Sequence, residues 1–408
     1  MHKRKQFWLG LSLINLCPVA LLGVLLRSKI LFSIPFIDYH NFLSAHSHLA
    51  FSGWVGLAII TLLIYEVLPA AFFEKRLYQY ILWGIEFSSL GMAVSFPFKG
   101  YALFSIVFST LFIFTTYVFG WVFFKDLRKA EVKGPVRWLS LASIMSLMLS
   151  SVGPFSLAYI MISKSGNSLL YRDAIYTFLH LQYNGFFTLG IFALFFNHLQ
   201  KGGIQLSKAA PFSGLLIASV IPSLFLSLLW HNLNLFYVLA LLGCLLILLS
   251  LLFFMRVFRN VLSALTFQHT LAKIFLMASF ISFTLKMLLT IGTIYPPLGN
   301  AVYGARPVII GFLHLVFLGF VSFFILSKVM EEGAFHKLKK LVAYPFYIFG
   351  FGVLANEVLL MLQGLEILFK TNSPLYNWLL WIAAIILFLG ALGMVKVYYA
   401  IKKLRFKP

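Results

Sequence analysis

The chain contains few charged residues and very few acidic ones. Of its 408 residues, 11% are charged, and only 11 are Asp or Glu against 32 Lys or Arg. Soluble globular domains usually carry about 25% charged residues, so this composition excludes a soluble enzyme, a secreted disulfide scaffold and a disordered regulator. Nucleic-acid-binding proteins gather their basic residues in hydrophilic patches, whereas here they lie between apolar segments. We therefore predict no nucleic-acid partner and a protein embedded in a lipid bilayer.

Cysteine is also scarce, because Cys17 and Cys244 are the only two in the sequence. They form no C-x-x-C pair and no C-x-x-C-H motif, which excludes a thiolate metal cluster and covalent attachment of a c-type haem. The sequence also lacks the alternating strands of about 10 residues that build an outer-membrane barrel. Without a long polar linker, residues 1–408 are predicted to form a single polytopic membrane domain.

Long apolar runs make up most of the sequence. The mean hydropathy is +0.96 and 61% of the residues are hydrophobic, and a membrane-spanning helix needs roughly 20 apolar residues. Twelve runs are long enough, so we predict an all-α integral membrane protein with about twelve transmembrane helices. The predicted helices lie near residues 7–26, 42–65, 77–98, 101–124, 138–163, 174–196, 211–230, 235–255, 271–294, 308–327, 341–363 and 376–397.

The Lys and Arg residues are distributed unequally between the two sides of the predicted bundle. The side of the N terminus carries 22 of them and the other side carries seven, with three more inside helices. By the positive-inside rule, this excess places both termini in the cytoplasm. We therefore predict a multi-pass protein of the inner (cytoplasmic) membrane, in which the even-numbered helices run from the outer face inwards.

Histidines gather near the outer ends of these helices, where polar groups in a bilayer are costly. His48, His180 and His314 each begin the motif H-L-x-x-x-G-[FW], and they are separated by 132 and 134 residues. A period of four helices predicts three pseudo-repeated four-helix units. His46 and His231 lie at a similar depth. Because neutral imidazole binds iron and copper and takes axial positions on haem, the set predicts metal or haem binding; hydrogen bonding between helices is the alternative.

This histidine pattern resembles subunit I of the haem-copper oxidase superfamily, which includes cytochrome c oxidases, quinol oxidases and nitric oxide reductases. The segment HLAFSGWVGLAIITLLIYEVLP from His48 is similar to the family's second helix, and HLQYNG from His180 is similar to the sixth helix of the nitric-oxide-reductase branch. The resemblance implies a non-covalent haem of b-type or a related type, with copper or non-haem iron. It implies that His48 holds a low-spin haem and His314 the active-site haem, and that His180 and His231 hold the second metal.

The sequence departs from the family pattern at two ligand positions. The seventh helix has only His231 where the family has an adjacent pair, and the tenth has only His314 where the family has H-x-H. Two of the six expected ligands are therefore missing. His46 is an additional candidate ligand for haem, and Arg306 is a candidate partner for haem propionates, because guanidinium binds carboxylate bidentately.

The resemblance implies an oxidoreductase of respiratory electron transfer that reduces a small gas, oxygen or nitric oxide, with electrons from a cytochrome or quinol donor. Because two ligands are missing, a non-catalytic nitric-oxide-response or haem-sensing membrane protein stays open as an alternative. A secondary transporter is the third class, since twelve helices and internal repeats also suit that fold. Among the ionisable residues inside predicted helices, Lys286 is expected to pair with Glu357 or to take part in proton transfer.

Overall fold

The computed structural model describes residues 3–204, 208–262, 265, 267, 269–331, 340–369, 371 and 373–405. Within these ranges the regular structure is helical, and twelve helices are long and apolar enough to cross a membrane. The predicted all-α fold class with about twelve such helices is therefore confirmed, and the grouping into three pseudo-repeated units stays a prediction. In chain order, helices α1 to α12 span Lys3–Leu31, Tyr39–Val67, Arg76–Lys99, Leu103–Lys129, Gly134–Ser163, Ser168–Lys201, Ala209–His231, Asn234–Leu262, Thr270–Gly292, Arg306–Glu331, Lys340–Leu368 and Leu375–Arg405.

Most helices extend a few residues beyond the apolar runs, because hydropathy marks only the part of a helix that suits hydrocarbon. Two of the extended helices begin at side-chain caps: the Asp38 carboxylate accepts a hydrogen bond from the Asn41 amide at 2.9 Å before α2, and Asn167 caps the start of α6 in the same way. Such caps bond amides that the first helical turn leaves without partners. Two short helices, Ala70–Phe73 and Pro296–Gly304, lie in connections.

Both ends of the described chain lie at one face of the bundle. The Tyr398 hydroxyl of α12 donates a hydrogen bond to the Gln6 carbonyl of α1 at 2.7 Å. We call this side the terminal face. The opposite face carries the first turns of α2 and α10, where the Arg306 guanidinium lies 4.4 Å from the centroid of the Tyr39 ring. That the terminal face is cytoplasmic stays a prediction of the charge distribution.

Helices α2, α6 and α10 form the centre of the bundle. In their most apolar stretches 78%, 89% and 56% of the residues are buried, against 22–50% in the other spans of the described chain. Each central helix packs against the helix that precedes it, α1, α5 or α9. The three helices that carry the repeated histidines are therefore the three that are most enclosed by protein.

The central helices are packed more tightly towards the terminal face. Residues 52–67 of α2 are all buried, whereas only two residues of Tyr39–Leu49 are. In α10, none of Arg306–His314 is buried, but most of Leu315–Ser322 is. The half of the bundle at the opposite face is therefore less completely filled by side chains.

Aromatic side chains fill much of the tightly packed half. The Phe192 ring of α6 lies edge-on to Phe212 and Phe283, each with a centroid distance of 4.8 Å, and stacks on Phe280 at 5.7 Å. Such pairs contribute about 0.5–1.5 kcal/mol each beyond the area that they bury. This cluster holds α6 against α7 and α9. The half of α6 nearer the opposite face takes no part in it.

Each central helix contains a π-helical segment directly after one of the repeated histidines. The segments are Ala50–Gly56, Leu181–Phe187 and Leu315–Ser322, after His48, His180 and His314. A π-helical turn contains an additional residue and disturbs the regular hydrogen bonding of the helix. A carbonyl in each segment accepts a hydrogen bond from the preceding helix: Asn15 to Gly53 at 2.9 Å, Ser143 to Phe186 at 2.7 Å and Ser279 to Phe320 at 2.7 Å. The arrangement recurs every four helices.

Candidate functional site

His46 of α2 and His314 of α10 are both held through one ring nitrogen. The Nδ1 of His46 lies 2.9 Å from the Val19 carbonyl of α1, and the Nδ1 of His314 lies 2.8 Å from the Ile310 carbonyl. A carbonyl can only accept, so the neutral imidazole carries its proton on Nδ1 and its lone pair on Nε2. Among the described residues, neither Nε2 has a hydrogen-bond partner. Each ring therefore presents a nitrogen that can bind a metal.

The two imidazoles lie near each other, between α2 and α10. His46 and Arg27 both lie within electrostatic range of His314. The rings of Phe51 and Phe317 meet between the same helices at a centroid distance of 4.2 Å. At a rise of about 1.5 Å per residue, these phenylalanines lie roughly 7 Å and 5 Å from the respective histidines, towards the terminal face. The aromatic pair therefore lies further towards the terminal face than the two half-buried histidines.

Two arginines lie on the opposite-face side of the histidine pair. Half-buried Arg27, near the end of α1, interacts electrostatically with His46 and His314 and also with Tyr39 and Arg306. The Arg306 side chain is exposed. Within the described ranges neither guanidinium forms an ion pair with a carboxylate. This side of the histidine pair therefore carries uncompensated positive charge, which favours an anionic group.

His48 points towards a different part of the bundle. Its Nδ1 lies 2.8 Å from the Ser44 carbonyl, and its ring packs against Phe96 of α3 at 4.5 Å, with Tyr101 at 6.0 Å. Side chains two positions apart in an α-helix differ in direction by roughly 200°, so His46 and His48 face nearly opposite ways. The structure thus brings His46, and not His48, together with His314.

His180 is buried and both of its ring nitrogens are engaged. Its Nε2 lies 2.7 Å from the Val220 carbonyl of α7, and its Nδ1 lies 3.1 Å from the amide nitrogen of Asn184. The carbonyl requires the proton on Nε2, and the Asn184 amide donates to the lone pair on Nδ1. Both nitrogens of this imidazole are therefore used in a hydrogen-bonded link between α6 and α7.

His231 lies at the opposite face, away from His180. Its Nε2 lies 2.9 Å and 3.1 Å from the two carboxylate oxygens of Asp173, which also accepts from the Trp230 indole at 3.0 Å. Asp173 precedes His180 by seven residues in α6, a distance of roughly 10 Å along the helix. His180 and His231 are therefore not brought together. Across the described part of the chain, no three His, Cys, Asp or Glu residues meet in a group that could hold a metal ion.

Arg27 is the site residue that the sequence did not single out. It lies in the last turns of α1, four residues before Leu31, and on the sequence it is one basic residue among many near a helix end. The sequence does indicate that His46 and His48 cannot both face α10, since the two side chains differ in direction by roughly 200°. The sequence could not say which, because both follow the same short polar segment.

No protein-family model matches the chain, and no curated protein matches its sequence.

Proposed function

We propose that this chain is a haem-binding membrane protein in which His46 and His314 are the axial ligands of a single haem. The observation that carries the proposal is the pair of neighbouring imidazoles on two central helices, each oriented by a hydrogen bond from Nδ1 to a backbone carbonyl. Ligating histidines commonly have their second ring nitrogen bound in this way, which fixes the tautomer and makes the ligand more basic.

The surrounding residues fit the same group. A haem is apolar over most of its faces and carries two carboxylates at one edge. The aromatic pair Phe51 and Phe317 supplies an apolar surface on one side of the histidines, and Arg27 and Arg306 supply unpaired positive charge on the other. Arg306 was predicted as a propionate partner, and Arg27 joins it in the proposal.

A haem with two histidine ligands supplies reversible one-electron transfer, because both axial positions of the iron are taken. The residues of this chain would hold the ligands in place, compensate the charge of the propionates and keep the faces dry. This chemistry supports a role in electron transfer across or within the membrane. The reduction of oxygen or nitric oxide, which the resemblance implies, needs a further metal with an open position.

Copper or non-haem iron at His180 and His231 stays a separate prediction. In the described geometry, His180 uses both nitrogens for hydrogen bonds and His231 is paired with Asp173. Binding a shared metal requires both contacts to break and the two rings to approach each other. We therefore favour the electron-transfer or haem-sensing class over a gas-reducing enzyme.

The haem and its stoichiometry provide the direct test. We expect the protein purified from membranes in mild detergent to show a Soret band and about one haem per chain, with no stoichiometric copper by elemental analysis. His46→Ala and His314→Ala should each lose haem or convert it to a five-coordinate form, and added imidazole should restore the six-coordinate spectrum by occupying the vacated position. His48→Ala and the exposed His40→Ala are the matched controls and should keep a wild-type spectrum.

Two results would count against the proposal. If His48→Ala loses haem while His46→Ala retains it, the ligand on α2 is the one that the sequence repeat predicts. If the chain contains neither haem nor iron after expression with added haem, the transporter class becomes the better hypothesis, and substrate uptake by proteoliposomes is then the relevant assay.

A further inference from the structure

An indole side chain joins the π-helical segments of α2 and α10. The Trp54 Nε1 donates a hydrogen bond to the Ser322 hydroxyl at 2.9 Å, and both side chains are buried. Each residue lies eight positions after a histidine of the proposed haem site, Trp54 after His46 and Ser322 after His314. Eight residues correspond to roughly 12 Å along a helix. The bond therefore joins the two ligand-bearing helices at the same distance from each histidine.

This hydrogen bond leads to the aromatic pair of the histidine site. The Ser322 hydroxyl donates in turn to the Phe317 carbonyl at 2.7 Å, and the Phe317 ring meets the Phe51 ring of α2 at 4.2 Å. Helices α2 and α10 are therefore held together at two neighbouring levels, by the ring contact and by the indole bond. Rings in contact can slide, but a hydrogen bond weakens steeply when its angle is distorted. The indole bond is thus the contact that restricts rotation of one helix relative to the other.

Small rotations of these helices would displace the imidazoles. A side-chain atom at the edge of a helix lies about 6 Å from its axis, so a rotation of about 10° moves the atom by about 1 Å. Binding sites need their groups held to within about 0.5 Å. The ion pair between Glu66 and Lys328 also joins α2 to α10, but it lies at the terminal face, far below His46. Control of the rotation close to the histidines therefore depends on Trp54.

We infer that Trp54 and Ser322 are positioning residues, which fix the rotation of α2 relative to α10 and so hold the His46 and His314 imidazoles in their mutual orientation. The inference rests on the proposed function, because this orientation matters only if the two rings bind one group. A buried indole N–H commonly has a hydrogen-bond partner. In a purely structural role, the same bond would stabilise the bundle without affecting the histidines.

The repeated motif supplies a conservative variant. Trp54 ends the first H-L-x-x-x-G-[FW] motif, Phe186 and Phe320 end the other two, and all three side chains are buried. Trp54→Phe therefore introduces the side chain that the other two central helices carry at this position, and it removes the N–H donor. Trp8→Phe is the matched control, because the buried Trp8 also donates a hydrogen bond of 2.9 Å through Nε1, to Gln79, but joins α1 to α3.

Haem loss and the low-spin EPR spectrum of the oxidised protein test the inference. We expect Trp54→Phe to retain haem but to lose it to excess apomyoglobin roughly three- to tenfold faster than the wild type, the effect of one hydrogen bond. Its EPR signal, which depends on the mutual orientation of two axial imidazoles, should broaden. Ser322→Ala removes the acceptor and should reproduce both effects, and the double variant should be no worse than Ser322→Ala alone. Trp8→Phe should lower the thermal midpoint but match the wild type in both measurements.

A distance measurement without haem separates a failure of this inference from a failure of the proposed function. Spin labels at His40→Cys and Gly304→Cys report the distance between the start of α2 and the residues just before α10; His40 is exposed, and a Cβ at Gly304 meets no atom within 4 Å. In the haem-free, full-length chain without the native cysteines, Trp54→Phe should broaden the distance distribution and Trp8→Phe should not.

Two outcomes would overturn the inference. One is that Trp54→Phe behaves like Trp8→Phe in haem loss and in the EPR spectrum, and the other is that it leaves the label distances unchanged. A wild type without haem would refute the proposed function, and the label distances alone would then decide whether Trp54 fixes the two helices.

Discussion

A buried charge cluster at the terminal face allows a sharp test of how the central helices are held together. The Glu66 carboxylate, at the end of α2, bonds the Lys5 ammonium of α1 at 2.9 Å and the Lys328 ammonium of α10 at 3.1 Å. The Glu66 carbonyl accepts from Asn197 at 2.9 Å and from Lys201 at 2.6 Å, both in α6. One residue thus joins all three central helices.

Glu66→Gln keeps the shape of this side chain and removes its charge. The carboxylate and both ammonium side chains are only 10–14% exposed, so the variant leaves two cations close together and largely out of water. Breaking a buried ion pair by removing one partner costs about 3–5 kcal/mol. Because the cluster keeps some contact with water, we expect a loss near the lower end of that range and a thermal midpoint lowered by several degrees.

Thermal unfolding in detergent, followed by light scattering and intrinsic fluorescence, measures this effect. The double variant Glu66→Gln/Lys328→Met should recover part of the loss, because it removes one of the cations that the Glu66 carboxylate bonds. Glu131→Gln, at an exposed loop position, is the control, and exposed substitutions usually change stability by less than about 0.5 kcal/mol. If Glu66→Gln melts like Glu131→Gln, or if the double variant is the less stable, the cluster does not hold the helices together.

Two further predictions concern packing and orientation. A Cβ added at Gly185, in the π-helical segment of α6, would clash with the Ser146 Cβ of α5, so Gly185→Ala should cost about 1–3 kcal/mol as an overpacked site. Gly185→Ala/Ser146→Gly should regain most of it in the same melting assay, and an equally unstable double variant would contradict the contact. For orientation, we expect a cysteine at Lys133 to react with an impermeant maleimide only in inside-out vesicles, and one at Lys164 only in right-side-out cells, in a background without the two native cysteines. The reverse labelling pattern would show that the charge distribution misassigns the two faces.

The twelve helices could be predicted because a helix surrounded by hydrocarbon needs a long run of apolar residues, which can be read directly from the sequence. Each span needs a long apolar run, and each of the twelve runs coincides with a helix of the structure, although runs 101–124 and 271–294 extend two residues beyond one end of their helices. The choice of His46 over His48, in contrast, depends on the rotation of α2 relative to α10. That rotation is set by packing between helices far apart in the chain, so the local sequence does not contain it.

Lys286 illustrates the same difference. The sequence offered Glu357 as a partner because both are ionisable residues inside predicted helices. In the structure, the Lys286 ammonium donates to the Thr188 hydroxyl at 2.9 Å and lies 3.3 Å from the Tyr183 carbonyl. This carbonyl belongs to the π-helical segment of α6, where regular bonding is disturbed. The need for a donor at this point arises from a helix distortion that hydropathy and residue spacing do not reveal.

The π-helical segments have a consequence for how such a bundle can change. Each contains what amounts to one inserted residue between a firmly packed half-helix and a looser one. Deleting a residue there would turn the looser half by roughly 100° about its axis and leave the packed half in place. In α2, such a turn would rotate His46 away from α10 and bring a different residue to face it. At the three π-helical segments, an insertion or deletion would therefore redirect the side chains of the looser half-helix and leave the packed half of the bundle unchanged.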